Sequence, residues 1–368
     1  MEKSKPNPAK AVLVTGATGF IGRRVALELA QRGHRLLLFC RPDSVSRLDP
    51  LIRQLPEGYP KPEIVKADLD LRNLGIKAPA RRKLGARVSE IFHLAANYHL
   101  GMSEKAAMLT NVDGTRRMLD LAADLPRLER FHFVSTMAVA GDWQGEFREE
   151  DLDLGQGFEH AYGRSKFLAE THVRGQMNKL PITVYRPGVV VGDSRTGEMD
   201  KIDGPYYLFR LLSRLSRLPG LSRMPMIIPR EEDSYFHIVP VDYVVKALVE
   251  LASQKSSRGQ TYHLMDPHPP TYRDFYTATL SALGFNGHQI SRPVSRMVRL
   301  LKTKLFWPTT RLACNSAGLP AEMVCHYLYR VTYSTTNTSS GLKDKNIICP
   351  RFIEYLPTLI EYYRQNMV

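Results

Sequence analysis

Tyr162 and Lys166 bracket the run Tyr162-Gly163-Arg164-Ser165-Lys166, a spacing that puts both side chains on one face of a helix. Such a pair suits proton transfer near neutral pH. A phenol ordinarily titrates near about 10, and an ammonium beside it stabilises the phenolate. Upstream, Ser135-Thr136 closes a predicted strand, where a hydroxyl can donate to the same substrate oxygen as the phenol. Thr136, Tyr162 and Lys166 are therefore the candidate catalytic residues. Tyr and Lys at this spacing also occur on helices where they merely snorkel, so their setting has to decide.

That setting begins with Gly16-Ala17-Thr18-Gly19-Phe20-Ile21-Gly22, which follows a predicted strand and opens a predicted helix. Gly16 can take the tight turn, Gly19 lets the backbone approach a pyrophosphate, and Gly22 permits close helix packing. The free N–H groups and positive dipole end of the helix then face the phosphates. Strand, loop and helix in this order predict a dinucleotide site. At the end of the second strand, where a carboxylate would bind the ribose 2′-hydroxyl of NAD, stands Cys40-Arg41-Pro42. Arg41 and Arg47 can instead pair with a 2′-phosphate, which points to NADPH. The alternative is that Arg41 is a surface charge and Asp43 supplies the carboxylate. Asp68, with Leu69, is placed for the adenine side, or Asp68 is simply a turn or cap residue. Ala95, Pro187 and Val189, at later strand ends, complete the candidate cofactor contacts, and Lys166 can also hold the nicotinamide ribose.

The elements that must position these residues are legible as periodicity. Apolar strand candidates fall at residues 11–15, 35–40, 63–67, 90–95, 130–135 and 182–186, with helical patterns such as 21–32 and 111–123 between them. This alternation predicts an α/β fold, a Rossmann-like doubly wound parallel sheet over residues 9–195. Residues 237–241 and 261–265 read as strands returning to that sheet, with Asp242 capping a helix between them. The segment 196–235 and residues 266–368 are left as a smaller, mostly helical substrate-binding or lid region. Within it, residues 206–218 form a basic amphipathic helix, with Leu208, Leu211, Leu212, Leu215 and Leu218 opposite Arg210, Arg214 and Arg217.

Bulk properties narrow the function classes. The 368 residues are 43% hydrophobic and 24% charged, an ordinary globular balance that argues against disorder. No run approaches the roughly 18 apolar residues of a membrane span, and the polar start has no secretory h-region, so a cytoplasmic protein is expected. Cys40, Cys314, Cys325 and Cys349 are scattered without metal-ligand spacing, and no metal is expected. The net charge of +14 could serve nucleic acid, an anionic membrane surface, or an acidic substrate or carrier. No nucleic-acid motif accompanies it. Smaller signals are read conservatively. Tyr98 and His99 could line the pocket, His93 and His237 read as core or backbone-bonded histidines, and Asn111 as a helix cap. Met224 and Met226 read as packing residues.

The glycine loop with Thr15, the segments His93-Leu94-Ala95-Ala96, Asn111-Val112-Asp113-Gly114-Thr115 and Val134-Ser135-Thr136, and the Tyr162…Lys166 pair together resemble the extended short-chain dehydrogenase/reductases. More narrowly, Phe133-Val134-Ser135-Thr136-Met137-Ala138-Val139-Ala140-Gly141 looks like the thioester-reductase and fatty acyl-CoA reductase branch. So does Arg186-Pro187-Gly188-Val189-Val190-Val191-Gly192-Asp193-Ser194-Arg195-Thr196-Gly197. That resemblance implies catalysis by Thr136, Tyr162 and Lys166, with Arg41 on the 2′-phosphate and Asn111 near the active site rather than only a cap. It also implies an acyl thioester substrate, borne on coenzyme A or on a carrier protein, and a monomer or homodimer. The basic helix would then suit an acidic acyl carrier protein, coenzyme A phosphates or a membrane surface, or else be a lid with a solvated arginine face. Two other readings stay open: an alcohol or ketone dehydrogenase of the sterol or sugar-nucleotide type, and a non-catalytic NADP-binding scaffold.

Overall fold

Side-chain alternation builds the central sheet. In the computed structural model, which describes residues 11–98, 102–200, 202–231, 234–316 and 330–367, β1 (Ala11–Thr15) sends Ala11 and Leu13 to one buried face and Val12 and Val14 to the other. β2 (Leu36–Cys40) repeats this with Leu37 and Phe39 against Leu36 and Leu38. Both faces are covered, as a parallel sheet requires. His99 and Cys325 lie outside the described residues.

From β1 the chain turns through the glycine loop into α1 (Phe20–Gln31), then runs through β2, α2 (Asp49–Arg53), β3 (Glu63–Lys66), α3 (Ala78–Gly85) and β4 (Val88–His93). A continuous helical run follows: α4 (Glu104–Ala107), a π-helical turn over Met108–Asp113, and α5 (Gly114–Ala123). β5 (Arg130–Val134), the short β6 (Gly145–Phe147), α6 (Ala161–Arg174), β7 (Ile182–Pro187) and β8 (Val189–Val191) complete the first half. Then come α7 (Tyr206–Ser216), β9 (Met226–Pro229), β10 (Ile238–Pro240), α8 (Val241–Ser253) and β11 (Thr261–Leu264). The remainder comprises α9 (Tyr272–Ala282), β12 (Gln289–Arg292), α10 (Val294–Leu301), α11 (Trp307–Ser316), β13 (Val331–Tyr333), α12 (Thr336–Gly341) and α13 (Phe352–Asn366).

Seven parallel strands lie in the order β11-β7-β5-β4-β1-β2-β3. The order reverses between β1 and β4, and in open α/β sheets that switch point opens a crevice at the strands' carboxyl ends. β11 returns to this sheet beside β7, with Val184 opposite Thr261. The strand expected at 237–241 does not: β10 is three residues long and pairs with β8 in a separate two-stranded sheet. A third apolar cluster, formed by Phe209, Phe275, Phe352, Leu359 and their neighbours, holds α7, α9 and α13 together. No helix among the described residues is long and apolar enough to cross a membrane.

Three local expectations are corrected. Asp242 is not a cap; Pro240 precedes α8, and the Asp242 carboxylate accepts from the Ser194 amide and hydroxyl, each at 2.8 Å. It ties down the 192–203 loop, which Arg23 also clamps through Asp200 at 2.8 Å. On α7 Leu212 is buried and Leu208 and Leu215 pack against the third cluster as expected, beside the buried Tyr206, Phe209 and Ser213, whereas Leu218 lies beyond the helix and is exposed. Tyr206 and Phe209 both meet Tyr363 of α13. Met224 is 53% exposed and packs no core, while Met226 lies against the third cluster.

Candidate active site

At the switch point the loop after β1 is compressed to the limit that glycine allows. Gly16 has φ +75°, and a Cβ there would lie 2.8 Å from the Ala95 backbone nitrogen. A Cβ on Gly22 would meet the Gly16 carbonyl oxygen at 2.1 Å, so α1 packs directly on its own loop. Thr15 braces the arrangement, its hydroxyl accepting from the Leu94 and Ala95 amides at 3.1 and 3.0 Å. α1 then starts at Gly19 with no side-chain cap, leaving amides for an anion. This cradle fits a pyrophosphate.

A cleft of about 810 Å³ runs from this loop along the strand ends. Every sequence-predicted site residue lines it: Gly16, Thr18, Gly19, Phe20, Ile21, Gly22, Arg41, Arg47, Asp68, Leu69, Ala95, Thr136, Tyr162, Lys166, Pro187 and Val189. At its β2 end, Arg41 and Arg47 flank Cys40 and Ser44. Asp43 is not among the lining residues and sits 3.8 Å from Arg41, with both side chains mostly exposed. Arg41 and Arg47, but not Asp43, line this end of the cleft. Asp68 both lines the cleft and makes a turn, accepting from the Asp70 amide at 3.0 Å.

At the other end α6 carries the reacting pair. Tyr162 is half-buried on the cleft wall, with the Thr136 hydroxyl as its hydrogen-bond partner and Tyr98 and Asp203 nearby. Burial pushes the phenol up to about 12, partly offset by that bond. Lys166 is 2% exposed. Its Nζ donates to the Val134 carbonyl at 2.8 Å and lies 4.3 Å from the centre of the Phe133 ring. Burial brings its pKa down to about 7, with Glu170 opposing the fall. The lysine rests on a carbonyl and an aromatic face, and the phenol keeps its proton.

The two hydroxyls of Ser135-Thr136 part company. Ser135 Oγ turns inward and donates to Glu170 Oε2 at 2.6 Å, whereas Thr136 faces the cleft. Glu170 is fully buried and pairs with the fully buried Arg186 at 2.6 Å and with Arg174 at 2.9 Å. Those guanidinium groups hold its carboxyl below the usual carboxylate range despite burial. Arg186 also bonds the His263 Nε2 at 3.1 Å and the Asp151 carbonyl at 2.6 Å. The back of the catalytic helix is locked by charge.

Asn111 is not a cap either. It sits in the π-helical turn, where its side-chain oxygen accepts from the Asn97 amide at 2.7 Å. Its Nδ2 donates to the Asn97 carbonyl at 2.8 Å and to Ser165 Oγ on α6 at 2.9 Å. It therefore couples the cleft wall to the catalytic helix. His93 is buried between Thr15 and Thr115, 2.8 and 3.2 Å away, and burial lowers its pKa to about 3. It is a neutral core histidine. His237 bonds the Val331 carbonyl at 3.1 Å, as a backbone-bonded histidine does, but it also lines the cleft. Tyr98 lines it as well. Tyr272 and Tyr333 were not singled out in the sequence. They add aromatic wall from the C-terminal third, and no short motif marks either residue.

The sequence profile of the male sterility protein family, an NAD-binding family, matches residues 14–248. The chain belongs to this family. Among curated relatives, a linear gramicidin synthase of Brevibacillus parabrevis is 28% identical over 289 residues, 74% of this chain but 5% of that protein. The fatty acyl-CoA reductase wat of Drosophila melanogaster is 29% identical over 287 residues, 66% of this chain and 54% of that protein. The family member described here thus spans about half of one relative and a small part of the other. Among solved structures, the terminal R domain of the myxalamid PKS-NRPS pathway superposes with TM-score 0.79 at 24% identity, covering 100% of this chain and 94% of that one. A thiolation-reductase di-domain from an archaeal non-ribosomal peptide synthetase gives TM-score 0.69 at 18% identity, covering 97% and 75%. Both share the fold of this chain.

Proposed function

We propose that this family member is an NADPH-dependent reductase that acts on the carbonyl of an acyl thioester, borne on coenzyme A or a carrier protein, and releases aldehyde or alcohol. One observation carries the reading: a single cleft joins a glycine cradle flanked by Arg41 and Arg47 to Thr136, Tyr162 and Lys166. The relatives named as a fatty acyl-CoA reductase and as terminal reductase domains support the choice of thioester.

NADPH, when bound, supplies the hydride. Gly19 would let the backbone approach its pyrophosphate while Gly16 and Gly22 keep the loop tight, Arg41 and Arg47 would meet the 2′-phosphate, and Lys166 would hold the nicotinamide ribose. Thr136 and Tyr162 hydrogen-bond the thioester oxygen as it gains negative charge, and Tyr162 delivers its proton there. A phenol pushed up to about 12 is fully protonated at neutral pH, as a donor in the reductive direction must be. The resulting hemithioacetal loses its hydroxyl proton and breaks the C–S bond, leaving an aldehyde and a free thiol. A second round on the aldehyde gives the alcohol.

Residues 196–235 and 266–368 form the substrate region in this proposal, which Met199, Asp203, Tyr235, Tyr272 and Tyr333 support by lining the cleft. An acidic carrier protein and a cytoplasmic setting belong to the same proposal. The test offers the enzyme a long-chain acyl-CoA with NADPH, the matching aldehyde with NADPH, and a hydroxysteroid with NADP⁺. NADPH consumption with the acyl-CoA, plus trapped aldehyde or alcohol, is the expected result. Turnover of the steroid or aldehyde alone would move the protein to the ordinary alcohol and carbonyl chemistry.

A further inference from the structure

Two stretches of the chain carry no carboxylate. Residues 204–230 hold Arg210, Arg214, Arg217, Arg223 and Arg230, and residues 275–316 hold Arg292, Arg296, Arg299, Lys302, Lys304 and Arg311. Eleven cations without a counter-charge in the same segments account for most of the chain's net +14. Carboxylates resume only at Glu231, which accepts from the Arg230 amide. The fold lays the two stretches side by side. β9 pairs with β12, the Asn286 amide donates to the Ser222 carbonyl at 2.9 Å, and α10 and α11 follow directly.

This surface is also where the molecule exposes its apolar side chains. Of the thirteen exposed large hydrophobic residues among those described, eight lie in the two stretches. On α10, Val294 and Val298 are buried and fix the inner side, so Arg296, Met297, Arg299 and Leu300 share the outer one. Beyond it, Leu305 and Leu312 are 77% and 71% exposed. Lys302 ties this layer to Glu159, a residue of the cleft wall, so the surface adjoins the cleft.

We propose that α10, α11 and the adjoining β9–β12 ribbon form a docking surface for an anionic phospholipid bilayer. Bulky apolar tips interspersed with arginine and lysine, with no carboxylate among them, match the two layers of such a membrane. The leucines enter the acyl boundary while the cations meet the headgroup charges. Projecting leucines ask for a fluid apolar phase more than for the shaped recess of a protein partner. The inference stands apart from the thioester reading, because it uses no residue of the reaction site.

Co-sedimentation of the full chain with vesicles tests it. Binding to phosphatidylcholine–phosphatidylserine vesicles, weak binding to phosphatidylcholine alone, and release by salt are expected. Arg296→Glu with Arg299→Glu should weaken partitioning by more than about tenfold, since each cation near an anionic surface contributes enough for most of a decade. Leu305→Ser with Leu312→Ser should weaken it as well. All four side chains are exposed, and an unchanged thermal midpoint and NADPH fluorescence quench would show the variants folded. Wild-type protein left in the supernatant with the anionic vesicles at low salt would overturn the proposal, as would variants that bind as well as wild type. So would capture of an acidic carrier protein, lost in the arginine variant, in the absence of vesicle binding.

Discussion

Tyr162 and Lys166 shift in opposite directions from one physical cause. The same burial that pushes the phenol up to about 12 brings the lysine down to about 7. Removing the proton donor in Tyr162→Phe should lower kcat by about 10²–10⁴-fold with little change in KM, read by steady-state kinetics. Arg41→Ala should raise the KM for NADPH by about tenfold or more and leave that for NADH unchanged, since only the former carries the 2′-phosphate. The lysine also leaves a mark on stability. Its folded pKa lies below its ordinary 10.5, so between these values the unfolded chain binds the proton and the folded chain does not. Stability must then rise with pH from about 7 towards about 10. Urea unfolding of wild type against Lys166→Met should show that rise as a widening difference, and a flat difference would contradict it. The Tyr–Lys spacing and the glycine loop were legible because they are local. The seat of the lysine on Val134 and Phe133 was not, because it is set by tertiary contact.

Among the elements, α6 depends on what lies behind it. Glu170 and Arg186 are both fully buried, and Ser135, Arg174 and His263 complete their shell. Glu170→Ala would strand the Arg186 guanidinium away from water and should cost about 3–5 kcal/mol in urea unfolding, with a fall in kcat as α6 loosens. No local signal marks this network, because Glu170 and Arg174, four apart, read as a surface helix pair until the fold buries the carboxylate against Arg186. The strands that read as continuous apolar runs, β1 and β2 above all, were readable to within a residue. β10 was not: three residues ending at Pro240 cannot show a period, and its partner is β8 rather than the main sheet. Asn111 and Asp242 looked like caps for a similar reason. Their true partners, Asn97 with Ser165 and Ser194, are fixed by tertiary contact.

For the molecule as a whole, the parallel order on either side of β1 and β4 puts every predicted site residue on one crevice. The cofactor half was legible because a dinucleotide imposes the same glycine geometry wherever it binds. The substrate half was not. Tyr235 reaches the cleft beside a bridge to Thr271 at the start of α9, Tyr272 from α9 itself, and Tyr333 from β13, which pairs with the distant β6. What most separates the proposed chemistry from other reactions of the same fold is the fate of sulfur. The decisive measurement is therefore thiol release, followed with a disulfide reagent while an acyl-pantetheine thioester and NADPH are turned over. One free thiol per acyl group reduced is expected, appearing with the first NADPH consumed and abolished in Tyr162→Phe. NADPH consumption with aldehydes or ketones but no thiol from any thioester would contradict the proposed chemistry.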